Sequence, residues 1–251
     1  MRIEGRRAVA EAIGTYFLVL IGPGAVMVNA RTDGVIGHAG IALAFAFVVL
    51  AIIYALGHIS GAHINPAVTI AFWSAGRFPG RDLPQYVLAQ CTGALLASFT
   101  LRAVLGPVDL LGATVPSIPT GAAFAVEWLL SFVLMFVIMA VATDERVADG
   151  FAGIAVGLTV GFDAMMGGPL TGASMNPARS LGPAVAGGIW EAHWIYRVAP
   201  VTAMMVAVRV YEFLRPAGGP AVVPSGVTLG VEGPIDGTGG RVRRRQETTR
   251  R

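Results

Sequence analysis

Apolar residues run along this chain in long blocks and show little alternation with polar ones. Six blocks, at 8–30, 36–58, 83–105, 121–142, 151–168 and 193–214, approach the ~20 residues an α-helix needs to cross a bilayer. The fifth is short. Polar positions gather between the blocks, and Pro107, Pro116 and Pro119 mark 107–120 as an external loop between spans three and four. The pattern predicts an all-α membrane protein with six transmembrane helices. After Leu214 the chain turns to Gly, Pro and small residues and then to Arg-Val-Arg-Arg-Arg at 241–245. Such a segment cannot bury a core, so 215–251 is expected to be a disordered Arg-rich cytoplasmic tail whose arginines can touch anionic lipid.

Composition narrows the class. With 55% hydrophobic and 13% charged residues, the chain is too apolar for a soluble domain. All 18 basic residues are arginine, and their placement orients the spans. Arg2, Arg6 and Arg7 precede span one, Arg77 and Arg81 lie between spans two and three, and Arg146 lies between four and five. Arg215 and six more follow the last span, whereas the opposite side carries Arg31 and Arg102. The positive-inside rule therefore places both termini in the cytoplasm of a multi-pass plasma-membrane protein. The basic pI of 9.5 reflects this topology and does not point to nucleic acid. Residues 1–30 do not read as a cleaved signal peptide, because the apolar stretch is long, carries Glu11 and matches a segment in the second half. Cys91 stands alone, so no intrachain disulfide or thiolate metal cluster is expected. His38, His58, His63 and His193 are scattered, and there is no nucleophile–base pair, metal-ligand cluster or phosphate loop. Enzymatic activity, cofactors and metals are not expected.

A repeated nonapeptide organises the rest. Gly-Ala-His-Ile-Asn-Pro-Ala-Val-Thr at 61–69 returns as Gly-Ala-Ser-Met-Asn-Pro-Ala-Arg-Ser at 172–180, with Asn65 and Asn176 111 positions apart. The halves, about 8–106 and 120–214, hold three spans each, and an odd number forces them into opposite orientation. Asn caps a helix and Pro fits its first turn, which predicts half-helices over 66–76 and 177–187. Each is too short to span, but end to end they match about one hydrocarbon thickness. Both positive helix ends then point at the midplane, where the asparagine amides can donate to a passing oxygen. Glu11 and Glu127 occupy matching places in the first span of each half; acids there are costly and are paired or functional. Gly153, Gly157 and Gly161 form a smooth stripe for close helix approach.

These motifs resemble the aquaporin (major intrinsic protein) family, in bacterial-type form, over about residues 8–214. The resemblance implies an aquaporin-like inverted repeat of six transmembrane helices and two re-entrant half-helices, forming a channel domain over 1–214. It implies passive conduction of water and small uncharged solutes, exclusion of protons and ions, and a homotetramer with one pore per subunit. The pore motifs are Asn65-Pro66-Ala67 and Asn176-Pro177-Ala178. Non-helical stretches 59–64 and 169–175 would supply a ladder of carbonyls that includes His63 and Gly172, and Glu11 and Glu127, helped by Gln90, would brace the loops. For His63 a structural role competes with a titrating pore group. Family spacing assigns the selectivity filter to Phe45, Ala164, Ala173 and Arg179.

The chain departs from the water-selective pattern at Ala164, where such channels carry histidine, and Ala164 with Ala173 leaves a wide mouth. Yet Ser180 and Ala184 occupy places where glycerol facilitators carry Asp and a basic residue, and Tyr196-Arg197 replaces an aromatic-Trp pair. Arg197 can pair with Asp163 or Glu191 or reach the headgroups. The expected activity is water conduction with passage of small neutral solutes. The alternatives are a glycerol- or metalloid-type facilitator and a secondary transporter with broken helices. Cys91 lies away from the expected pore, which predicts resistance to mercurials.

Overall fold

The computed structural model describes residues 3–143 and 150–215. Residues 216–251 of the expected tail, with Arg2 and Arg146, lie outside the described residues. Among the described residues, eight α-helices follow in order: α1 (Ile3–Arg31), α2 (Gly37–Ser60), α3 (Pro66–Ser74), α4 (Leu83–Leu105), α5 (Thr120–Thr143), α6 (Ala152–Thr171), α7 (Pro177–Gly187) and α8 (Ile195–Leu214). The six long helices fall on the six apolar blocks, and the two short ones begin directly after Asn65 and Asn176. Five of the long helices are long and apolar enough to cross a membrane. The sixth, α8, falls short in apolarity because it carries Arg197, Arg209 and Glu212. All three lie toward its ends, where interfacial charge is tolerated.

Two boundaries differ from those the sequence predicts. In place of a non-helical 169–175, α6 continues through Pro169 to Thr171. Pro169 has no N–H for the Met165 carbonyl one turn back, which would leave that oxygen unpaired. His38 Nε2 donates to it at 2.8 Å, so a side chain from α2 replaces the missing bond. Ser117 donates to the Pro169 carbonyl at 2.7 Å. Likewise, 59–64 is helical up to Ser60, where Gly61 at φ 90° ends α2. The non-helical loops are therefore shorter, at 61–65 and 172–176, and α3 stops at Ser74 instead of reaching 76.

Packing repeats the internal symmetry. Helix α1 lies on α4 and α5 on α8, while α2 and α6 join the halves. Gly153, Gly157 and Gly161 face α2: a Cβ there would sit 2.8 Å from Tyr54, 2.8 Å from the Ala46 carbonyl and 2.9 Å from Ala46 Cβ. The stripe lets these two backbones approach, as small residues do in lipid. Outward faces carry exposed Phe47, Leu88, Phe99 and Phe162.

Each half-helix packs on the third span of the opposite half, α7 on α4 and α3 on α8. Arginines complete the exchange. Arg102 of α4 donates to the Ala186 carbonyl near the end of α7, and Arg209 of α8 donates to the Ser74 carbonyl ending α3 at 2.7 Å. A cation at a helix C-terminus satisfies orphan carbonyls and complements the dipole. At ~1.5 Å rise per residue, the nine residues of α3 and eleven of α7 together span about one hydrocarbon core.

Candidate functional site

The two short helices meet through their caps. Asn65 is extended (φ −154°) and its Oδ1 accepts from Ala67 N at 2.9 Å. Asn176 (φ −148°) accepts from Ala178 N at 3.0 Å and Arg179 N at 3.3 Å. The amides then cross. Asn65 Nδ2 donates to the Met175 carbonyl, and Asn176 Nδ2 donates to the Ile64 carbonyl, both at 2.8 Å. Each capping oxygen is therefore used locally and one amide hydrogen ties the opposite loop. The second hydrogen of each amide remains for whatever occupies the cavity. This reciprocal tie is invisible in the sequence, because it joins residues 110 and 112 positions apart.

Each loop repeats one unusual backbone. Gly61, Ala62 and Ile64 have φ of 90°, 47° and 44°, matched by Gly172, Ala173 and Met175 at 86°, 41° and 52°. Left-handed conformations cost non-glycine residues about 1–2 kcal/mol each and persist only where the surroundings impose them. The acids of the first spans do so. Glu11, fully buried, accepts from Ser60 Oγ (2.7 Å), His63 N (2.9 Å), Ile64 N (2.6 Å) and Gln90 Nε2 (2.8 Å). Glu127, equally buried, accepts from Thr171 Oγ1 (2.6 Å), Ser174 N (2.9 Å) and Met175 N (2.9 Å). Tyr86 and Tyr196 hydroxyls donate to the Ser60 and Thr171 carbonyls at 2.8 and 2.7 Å.

Peptide planarity converts this anchoring into a carbonyl array. In a trans peptide the C=O of one residue points opposite to the N–H of the next. With the N–H groups of His63 and Ile64 turned to Glu11, the carbonyls of Ala62 and His63 face away from it. The carbonyls of Ala173 and Ser174 face away from Glu127 for the same reason. Gly61–Asn65 and Ala173–Asn176 line one cavity, so these carbonyls face open space. Ala173 and Ser174 thus join the expected array, and Gly172 lines a second, outer cavity. The His63 ring lies behind its loop, 5.0–5.4 Å from the rings of Phe72, Phe78 and Tyr86, with Nδ1 3.1 Å from Thr69 Oγ1.

The inner cavity is walled by apolar side chains from four spans, among them Leu18, Val49, Ile53, Leu134, Ile138 and Val156. Phe45, Ala164 and Arg179 line both cavities and so stand at their junction. Ala173 lines the inner cavity beside them. The Arg179 guanidinium lies 5.2 Å from the Phe45 ring centroid, and its Nη1 donates to the Gly112 carbonyl at 2.8 Å. The structure thus brings together all four positions that family spacing assigns to a constriction.

Other residues singled out in the sequence lie apart. Cys91 on α4 packs beside Val19 and Ala94 and lines neither cavity. Arg197 is exposed, and Asp163 is buried with no hydrogen-bond partner for Oδ2 among the described residues, so the two are not paired. The linker is the part of the site that the sequence pattern hides. The segment 107–119 bends inward: Asp109, Leu110, Leu111 and Gly112 all have positive φ, from 44° to 65°. Leu111 buries against Met27, Leu101 and Ala186, and the turn presents the Gly112 carbonyl to Arg179. Thr114 is buried, and its hydroxyl donates to Ser180 at 2.7 Å. The glycine at 112 is the available signal, since a left-handed tight turn favours it.

A family model described as major intrinsic protein matches residues 3–211. Nodulin-26 of Glycine max is 48% identical over 211 residues, covering 84% of this chain and 78% of that protein. Aquaporin NIP1-1 of Zea mays is 46% identical, covering 84% and 75%. The X-ray structure of the aquaglyceroporin from Plasmodium falciparum superposes with a TM-score of 0.73 at 27% identity, covering 83% of this chain and 96% of that one. The chain, a multi-pass membrane protein and not an enzyme, therefore belongs to the major intrinsic protein family of channels for water and small solutes.

Proposed function

We propose that this protein is a passive pore for water and small uncharged solutes that excludes protons and ions. The observation that carries the reading is the junction of the two cavities at Phe45, Ala164 and Arg179, with Ala173 alongside. Two alanines leave the mouth wide, while Arg179 and the carbonyl array offer a donor and acceptors to replace a solute's lost water contacts. Farther in, Asn65 and Asn176 each retain one donor hydrogen at the positive ends of α3 and α7. A water held by two donors cannot pass a proton along a chain, and a cation meets positive potential.

The pore motifs are Asn65-Pro66-Ala67 and Asn176-Pro177-Ala178, the filter is Phe45, Ala164, Ala173 and Arg179, and Glu11 and Glu127 hold the loops. The channel domain covers 1–214, assembles as a homotetramer and lies in the plasma membrane with both termini cytoplasmic. A glycerol-type facilitator is favoured by the small side chains at Ala164 and Ala173 and by the likeness to an aquaglyceroporin. A coupled transporter is disfavoured because Glu11 and Glu127, the acids beside the re-entrant loops, are already occupied by four and three donors.

Stopped-flow light scattering of reconstituted vesicles tests this. Fast shrinkage in sucrose, fast re-swelling in glycerol and a proton flux equal to that of empty vesicles are expected. Water flux no faster than in empty vesicles contradicts the reading.

A further inference from the structure

The two loops share one backbone but differ in the hydroxyls buried behind them. Behind the first, the Thr69 hydroxyl donates to the Asn65 carbonyl at 3.0 Å and receives Gln90 Nε2 at 3.0 Å. Behind the second, Ser180 holds the place of Thr69, and it lies 2.5 Å from Ser174 Oγ, which donates to the Asn176 carbonyl at 2.9 Å. The donor differs. Tyr86 and Tyr196 make equivalent bonds, and four residues beyond them stand Gln90 in α4 and Pro200 in α8. Pro200 has no side-chain donor. Thr114, reaching in from the linker, donates to Ser180 at 2.7 Å instead.

Thr114 grips the second loop at two points. Its hydroxyl starts a directional chain, Thr114 to Ser180 to Ser174 to the Asn176 carbonyl. Its methyl lies against the bend at Gly172, where an added Cβ would come within 2.9 Å of Thr114 Cγ2. Between these points lie Ala173 and Arg179. Thr114 is 4% exposed, Ser180 is fully buried, and neither lines the inner or the outer cavity. Neither can touch a permeating solute.

We propose that Thr114 is a specificity-determining positioning residue. It sets the distance of Ala173 and Arg179 from Phe45 and Ala164 through the buried hydroxyl chain. This rests on the proposed filter, and it gives Ser180 an indirect role: the residue after Arg179 tunes selectivity through loop position and not by solute contact. The linker between the halves thereby becomes part of the selectivity apparatus.

The test uses full-length protein in vesicles and reads the glycerol-to-water permeability ratio, which does not depend on how much protein is folded and inserted. Thr114→Val keeps the shape and removes the hydroxyl; Thr114→Ser keeps the hydroxyl. Thr114→Val should change the ratio by about threefold or more, as expected from loss of one buried hydrogen bond, and Thr114→Ser should restore it. Should Thr114→Val not fold, Ser180→Ala cuts the same chain and should shift the ratio equally. A ratio within threefold of wild type in the folded variant, or an equal shift in Thr114→Ser, overturns the proposal. A wild type that conducts no water overturns the pore reading as well, whereas a conducting wild type with an unmoved ratio overturns only the role of Thr114.

Discussion

Gly22 on α1 faces the Phe45 ring so closely that the ring position depends on a missing methyl. A Cβ added at Gly22 would lie 2.2, 2.5 and 2.6 Å from Phe45 Cε1, Cζ and Cδ1. Ordinary contact begins near 3.4 Å, so the ring must retreat by about 1.2 Å. The α1 backbone does not resist Gly22→Ala, since alanine is favoured over glycine in a helix by ~1 kcal/mol. The same ring lines the cavity junction, with the Arg179 guanidinium 5.2 Å from its centroid. A retreat of this size is close to the radius of a water molecule, roughly 1.4 Å. Glycerol should therefore suffer far more than water. We expect glycerol permeability to fall about tenfold, a barrier increase of ~1.4 kcal/mol that is within the usual cost of overpacking. Water permeability should stay within about threefold. The assay is stopped-flow re-swelling in glycerol against shrinkage in sucrose, with thermal unfolding in detergent to confirm the fold. A folded Gly22→Ala protein with an unchanged glycerol-to-water ratio would refute the placement of Phe45 at the constriction.

Glu127→Gln turns an amide nitrogen toward donors that need acceptors, and should lower stability by about 2 kcal/mol or more. Glu11→Gln should cost more, because Glu11 accepts four bonds and Glu127 three; equal or smaller losses in detergent thermal melts would contradict the anchoring role. Cys91 lines neither cavity, so mercurials should leave water permeability unchanged, and block that vanishes in Cys91→Ser would count against its position.

The spans and half-helices are legible in the sequence because their causes are local. Apolar block length sets the spans, and Asn-Pro starts α3 and α7 at Pro66 and Pro177 as expected. The four residues that family spacing names, Phe45, Ala164, Ala173 and Arg179, all line the inner cavity, and the repeat fixes two of them, Ala173 and Arg179, relative to Asn176. Helix ends are less legible. Pro169 reads as a stop, and only His38, 127 positions from Met165, explains why α6 continues. The linker is illegible for a related reason: Gly112 and Thr114 act on Arg179 and Ser180 across 66–67 positions, and a Pro-rich surface loop looks the same whether or not it folds inward. Contacts of that range leave no periodicity to read.

If small side chains at the cavity junction are what admit neutral solutes larger than water, enlarging one of them should exclude those solutes and spare water. Ala164→His does this, because it fills the junction beside Phe45 and Arg179 and removes none of the hydrogen bonds by which Glu11 and Glu127 hold the loops. In reconstituted vesicles, Ala164→His should retain fast sucrose-driven shrinkage and lose glycerol re-swelling. Re-swelling as fast as in the wild type would show that the junction does not select the solute.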